Sequence, residues 1–227
     1  GLGGEVVEAD AVCLSIGPWG PLAENWFPSI NVPMQGIKST SIVWPVREET
    51  KTEGVALFCG EDDRYNTHIE VYPRPDGMIY CCGVGGSDYI NADDLREGRF
   101  LTSGCDPNQK RVEAATKALH QISHSYKSLT PEVSQACMRP CPPDALPIMG
   151  DVPGCNGAYL NVGHNCWGIL WAPAAGKTMA ELITCGSSKI NINPFDVRRF
   201  GVNEMAGGGK KGGRGRKRGK ESVGEQW

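Results

Sequence analysis

A strand, a glycine-bounded turn and a helix follow one another between residues 158 and 184, and that run constrains the fold more than any other stretch. Ala158-Tyr159-Leu160-Asn161-Val162 is a short apolar strand. Gly163-His164-Asn165-Cys166-Trp167-Gly168 is a turn. Ile169 to Thr184 is a helical run, with Pro173 near its start, where a residue without an N–H is tolerated. A chain folded this way presents free backbone N–H groups, because the first turn of a helix has unpaired donors and the positive end of the helix dipole. An anion or the electron-rich edge of a ring is held at such an end. An ordinary buried strand-turn-helix has the same spacing, so the pattern alone leaves both readings open. Upstream, residues 135–150 read as a proline-rich turn carrying one cation, Met138-Arg139-Pro140, and ending at Leu146-Pro147-Ile148-Met149-Gly150. Arg139 offers a planar fork that matches both oxygens of a carboxylate, and a surface or helix-capping arginine is the plain alternative.

Toward the N-terminus, residues 5–16 read as strand material. Ala11 to Ile16 is a continuous apolar run suited to a buried parallel strand, stopped by the turn Gly17-Pro18-Trp19-Gly20. A buried strand followed by a glycine turn is where open α/β sheets place ligands, and a plain core strand looks the same. From Val32 the texture changes to successive strands: 37–44, 55–59, 68–72 and 78–82. Pro73-Arg74-Pro75-Asp76-Gly77 turns the chain between the last two, proline presetting one dihedral and glycine supplying a positive one. Gly83-Val84-Gly85-Gly86 has no apolar helix behind it and reads as a strand-end turn rather than a phosphate loop. Residues 108–129 form the clearest helix, with apolar positions at Val112, Ala115, Leu119, Ile122, Tyr126 and Leu129. His120 and His124 lie four apart on it, a spacing that ligates metals, but without a glutamate between them they read as a solvated face.

Charge divides the chain into two materials. Net charge is −3, yet residues 201–227 hold seven Lys/Arg against three Glu, leaving +4 in the tail and −7 in the body. The Gly/Lys/Arg tract at 207–220 cannot bury apolar surface and is expected to be disordered. A nuclear-targeting or weak nucleic-acid-binding role is one reading of it and a solubilising tail is the other. Ten cysteines without a paired CxxC set, and four scattered histidines, make no zinc pattern; free thiols in a reducing cytosol are expected. No run approaches the length of a membrane span. The sequence opens Gly1-Leu2-Gly3-Gly4 rather than with methionine, which points to a fragment or a processed product, and a targeting segment ahead of Gly1 would place it in an organelle.

Taken together, Arg139-Pro140, Asp144-Ala145-Leu146-Pro147-Ile148-Met149-Gly150, Gly163-His164, Gly168-Ile169 and Ala172-Pro173-Ala174-Ala175-Gly176-Lys177 resemble the C-terminal flavin-binding segment of the FAD-dependent D-amino acid oxidase family, which includes glycine oxidase and sarcosine oxidase. The Gly163–Ile169 version is most similar to an uncharacterised fungal and plant branch. The resemblance is close over residues 135–186 and looser over 5–200. It implies a mixed α/β (α+β) fold: part of an FAD-binding domain at 1–30, an antiparallel-sheet substrate domain at 31–134, the rest of the FAD-binding domain at 135–200 and a tail at 201–227. Asn193 to Phe200 resembles the family's last ordered segment.

The same resemblance implies the site. Asp10, Ser15, Gly17 and Trp19 match the strand whose end touches FAD. Gly163, His164, Asn165, Cys166, Trp167, Gly168 and Ile169 match the turn whose donors stabilise charge on the flavin pyrimidine. Arg139 matches the arginine that grips a substrate carboxylate. Cys137 stands two residues before it, where sarcosine oxidases tether the flavin covalently; a quiet thiol is the alternative. The implied reaction is hydride transfer from an amine-bearing carbon to FAD, giving an imine, with dioxygen as the final acceptor. The family's N-terminal βαβ unit, with Gly-x-Gly-x-x-Gly after a strand to hold the FAD pyrophosphate, is missing from these residues. Exposed sheet edges and uncovered apolar surface are therefore expected. An inactive flavin-fold scaffold used for protein interaction is the competing reading, and a nucleic-acid-associated protein driven by the tail is the third. The expected compartment is the cytoplasm, or the nucleus through the tail. A small amine, carrying a carboxylate if Arg139 has the family role, is the expected partner.

Overall fold

The computed structural model describes residues 6–46, 54–60, 63–65 and 67–202; the disorder expected of the basic tail falls on 203–227, outside the described residues. In chain order the elements are β1 (Val12–Leu14), α1 (Ala23–Trp26), β2 (Gln35–Trp44), β3 (Leu57–Phe58), β4 (Glu70–Pro73), β5 (Ile79–Cys82), β6 (Asp88–Ile90), α2 (Ala92–Arg96), α3 (Gln109–Ile122), β7 (Val133–Cys141), β8 (Ile148–Asp151), β9 (Ala158–Val162) and α4 (Gly168–Cys185). They fall into two compact units, the first made of residues 1–36, 90–99 and 139–227 and the second of 37–89 and 100–138.

The first unit holds a three-stranded sheet in the order β1-β9-β8. β1 runs parallel to β9, with Leu14 opposite Leu160, and β8 runs antiparallel to it, with Ile148 opposite Val162. Alternate residues of β9 (Ala158, Leu160 and Val162) are buried against Ala23, Ile30, Val32 and Ile148, the period-2 pattern of a strand with one face on a core. Residues 90–99 lie inside the stretch expected to be substrate domain, yet belong to this unit for a physical reason. Arg96 pairs with Glu24 at 2.7 Å, the Asn25 amide donates to Arg96 O at 2.9 Å, and the Trp19 indole N–H donates to Arg99 O at 2.9 Å. Arg198 and Arg199 pair with Asp151 and Asp144, fastening the closing turns of residues 193–200 to the end of β8 and to the turn before it.

The second unit is an antiparallel sheet in the order β3-β4-β5-β2-β6, with β7 also paired to β2. α3 covers one face. Ile42, Trp44, Val71 and Cys81 from the strands meet Ala115, Ala118 and Leu119 from the helix. Asn108 caps that helix, its side chain accepting from Arg111 N, and Thr40 Oγ1 accepts from Asn108 N at 3.0 Å.

Four sequence expectations are corrected. Met138-Arg139-Pro140 is not a turn: all three residues lie within β7. β7 pairs only with β2 among the described residues, and a strand with one free edge accommodates proline's missing N–H. β1 is parallel as expected but not buried, with Val12 47% exposed, because it stands at the edge of its sheet. α3 stops at Ile122 rather than running to residue 129; Ser123 turns extended, at φ −130° and ψ 114°, and a single 3₁₀ turn follows. The apolar spacing continues past the helix because Tyr126 still packs on the same core. His120 and His124 consequently share no helical face. His120 packs edge-on to Trp44 at 5.6 Å and its Nε2 lies 3.0 Å from Leu129 O.

Candidate functional site

Because β1 and β9 are parallel neighbours, their carboxyl ends open at the same edge of the first unit's sheet. Leu14 leads into Ser15, Ile16 and Gly17, and Val162 leads into Gly163 and His164. Ligands of α/β sheets gather at such an edge. Gly17 takes φ +57° with open space where a Cβ would stand, and Ser15 is exposed. Trp19 lies just beyond, but its N–H is already given to Arg99 O, so only its ring remains for a ligand.

The turn after β9 is held tightly. Gly163 sits at φ +78°, and a Cβ there would come within 2.6 Å of Pro142 Cγ. Asn165, only 8% exposed, adopts φ 53° although it is not glycine. Its conformation is fixed by the buried Cys141 thiol, which donates to Asn165 Oδ1 at 3.1 Å. The side chain of Asn165 is therefore a structural pin of the turn. A 3₁₀ turn over Asn165–Trp167 then feeds α4, whose start has no side-chain cap. Beside the helix start, Ile169 is 95% exposed and Leu170 68% exposed. Trp167 stacks on Trp171 with ring centroids 6.1 Å apart, and Cys166 is exposed.

Of the residues expected at the site, His164 and Arg139 each have a buried side-chain nitrogen, Nε2 and Nε, with no hydrogen-bond partner among the described residues. Burial pushes the His164 imidazole below its ordinary value of 6.5, so it is neutral at physiological pH. Arg139 is half-buried on β7, two residues before Cys141. Strand residues two apart share a side, which sets Arg139 on the side of β7 that reaches the turn through Cys141. Among the described residues it has no carboxylate within ion-pair distance, whereas Arg96, Arg99, Arg111, Arg198 and Arg199 each have one. Cys137, exposed, occupies the next position back on the same side of that strand, in the part of the chain assigned to the second unit.

Sequence reading missed the Cys141–Asn165 bond. Its signal was the period-2 spacing of Cys137, Arg139 and Cys141, which is visible only once the segment is taken as a strand. No group of His, Cys, Asp or Glu among the described residues is arranged to hold a metal, and all ten cysteines are free thiols.

The parallel pair β1 and β9 thus opens onto the uncapped start of α4. The sequence family of FAD-dependent oxidoreductases, DAO, matches residues 1–182, and the chain belongs to it. It is 26% identical over 210 residues to the Saccharomyces cerevisiae protein described as "Putative oxidoreductase TDA3", covering 86% of this chain and 36% of that protein. It is 28% identical over 191 residues to a glycine oxidase of Pseudomonas putida, covering 84% and 46%. The crystal structure of glycine oxidase from Geobacillus kaustophilus superposes with a TM-score of 0.62 at 18% identity over 84% of this chain and 46% of that one. L-amino acid deaminase from Proteus vulgaris gives 0.64 at 16% identity, covering 84% and 51%. The chain therefore spans about half the length, or less, of the curated relatives it matches.

FAD is the family's cofactor, and the ring end of the site suits it. The uncapped amides at the start of α4 and the orphaned His164 Nε2 offer polar contacts, and the exposed Ile169 offers an apolar one. Among the described residues no strand is followed by a Gly-x-Gly-x-x-Gly turn.

Proposed function

We propose that this chain supplies the substrate-gripping and ring-facing portion of an FAD-dependent oxidoreductase acting on an amine that carries a carboxylate, an amino acid or close analogue. The observation that carries this reading is Arg139: a half-buried guanidinium with its Nε unsatisfied and no acidic partner among the described residues. A buried, unpaired cation is costly, and a ligand carboxylate docking bidentately removes that cost. Arg139 binds and orients the acid group. The amides of Gly168, Ile169 and Leu170, at the positive end of α4, favour negative charge on an acceptor-rich ring edge. His164, kept neutral by burial, orients without adding charge. Bound FAD supplies the acceptor for the electron pair when the amine is oxidised to an imine. Ser15, Gly17 and Trp19 line the neighbouring strand end, and the exposed Cys137 is the candidate for a covalent tether.

The test is a flavin titration of the full chain, read by quenching of flavin fluorescence, followed by displacement or spectral perturbation with acetate and amino acids. Arg139→Leu is expected to weaken carboxylate binding about 10- to 100-fold, the range for a charge-assisted bond, while flavin binding is unchanged. Carboxylates that perturb the variant as strongly as the wild type would refute the role of Arg139.

A further inference from the structure

Two segments of the second unit are laid against β2. β7 pairs with it. The loop that leads into α3 is held to it by side chains: Lys38 Nζ donates to Asp106 O at 3.4 Å, and Asn108 N donates to Thr40 Oγ1 at 3.0 Å. Each segment carries a free cysteine, the half-buried Cys105 in the loop and the exposed Cys137 on β7. Their shared support brings them together. The Cys105 thiol donates to Ala136 O at 3.8 Å. That oxygen belongs to the same planar peptide as the Cys137 nitrogen, so the Cys105 sulfur rests against the peptide from which Cys137 is hung.

The two sulfurs also sense one another. Burial pushes the Cys105 thiol up, the Lys38 ammonium draws it down, and the Cys137 thiolate raises it, an influence that requires a nearby charge. Two fully buried thiols make the contrast. Burial pushes Cys81 up to about 12, which leaves almost no thiolate to react. Cys141 gives its hydrogen to Asn165 Oδ1. Cys137 is exposed, so an oxidant reaches it from solvent, and Cys105 stands beside it. An accessible thiol with a second thiol next to it is the arrangement of a reversible redox site.

We propose that Cys105 and Cys137 are an oxidisable pair, which a peroxide converts into an intramolecular disulfide tying the loop ahead of α3 to β7. The Cys137 thiolate attacks one oxygen of hydrogen peroxide. The O–O bond breaks, the leaving hydroxide is protonated to water, and Cys137 becomes a sulfenic acid. The Cys105 thiolate then attacks that sulfur. An S–S bond forms, the S–O bond breaks, and the leaving hydroxide takes up the proton that Cys105 gave up, as a second water. Two thiols and one peroxide thus give one disulfide and two waters, and a dithiol reductant reverses the change by thiol–disulfide exchange. Cys137 held in this way is withdrawn from any other attachment, two residues before Arg139. The inference uses residues of the second unit only and stands whether or not Arg139 and the α4 turn serve a flavin.

The experiment treats the dilute full chain with hydrogen peroxide, alkylates the thiols that remain, and maps the monomer fraction by mass spectrometry after digestion. A linked peptide pair joining Cys105 to Cys137 is expected, lighter by two hydrogens than the separate peptides and lost on treatment with dithiothreitol. Dimedone, which traps sulfenic acids, reports the intermediate. In the wild type it is expected to label Cys137 weakly, because Cys105 consumes the sulfenic acid. In Cys105→Ser, and equally in Cys105→Ala, labelling of Cys137 is expected to rise at least about tenfold, since a thiol held beside its target outcompetes a reagent in solution. Thiols at both positions that survive peroxide, a Cys137 linked to some other cysteine, or dimedone labelling of Cys137 that is equal in wild type and both variants would each overturn the proposal.

Discussion

Gly163 bears on both the turn and its neighbours, since its φ of +78° is unfavourable for any side chain and its missing Cβ is the space Pro142 occupies. Gly163→Ala places a methyl 2.6 Å from Pro142 Cγ and 3.3 Å from Met34 Cε, so either the turn or the end of β7 must shift. A loss of about 2–4 kcal/mol is expected from overpacking together with backbone strain, measured as a drop in the urea midpoint at unchanged slope. Gly17, with a similar φ but open space around it, provides the comparison: Gly17→Ala carries only the strain and should cost less. At this scale the sequence was partly legible. The glycines announced the turn because positive φ is nearly their private territory. Asn165 at φ 53° did not announce itself, because what holds it there is a thiol 24 residues away along the chain. Arg139 was legible as a cation near prolines, but that it has no acidic partner among the described residues appears only in the folded chain.

Elements were readable where local and tertiary demands agree. β9 runs over Ala158–Val162 and α4 over Gly168–Cys185, as apolar run and glycine boundaries suggest. Gly186, in the left-handed conformation at φ 75°, ends α4, as a helix-terminating glycine does. β4 and β5 flank the Pro-Asp-Gly turn, with Gly77 at φ 84°. β7 was not readable, because proline lowers strand propensity and pairing to β2 overrides it. The end of α3 was misread because apolar spacing reports packing and not hydrogen bonding; Tyr126 faces the same core from a 3₁₀ turn. Its start is set by Asn108, whose side chain accepts from Arg111 N at 3.3 Å. Asn108→Ala is expected to destabilise the second unit by about 1 kcal/mol. Hydrogen exchange resolved by residue checks this: amides of the first turn of α3 should lose protection while those of α4 keep theirs.

For the molecule as a whole, the decisive feature is apolar surface that the described residues leave uncovered. α4 is apolar nearly all round, yet only Ala175, Thr178 and Met179 are buried on it. Ile169 is 95%, Leu170 68% and Trp171 36% exposed, and Val12 on β1 is 47% exposed. A helix hydrophobic on all sides is built to be enclosed, and a contiguous exposed patch drives association. Purified chain is therefore expected to self-associate as concentration rises, visible as an increasing weight-average mass in sedimentation velocity. Ile169→Lys with Leu170→Lys is expected to shift the population toward monomer. Both side chains point to solvent, so they contribute little buried area, and the unfolding midpoint should stay within about 0.5 kcal/mol of the parent. If mass does not depend on concentration in the parent, the face is less adhesive than its exposure implies. If the double variant remains associated, the contact lies elsewhere, and the exposed edge at Val12 is the next place to introduce a charge, since an unpaired strand invites pairing with another chain.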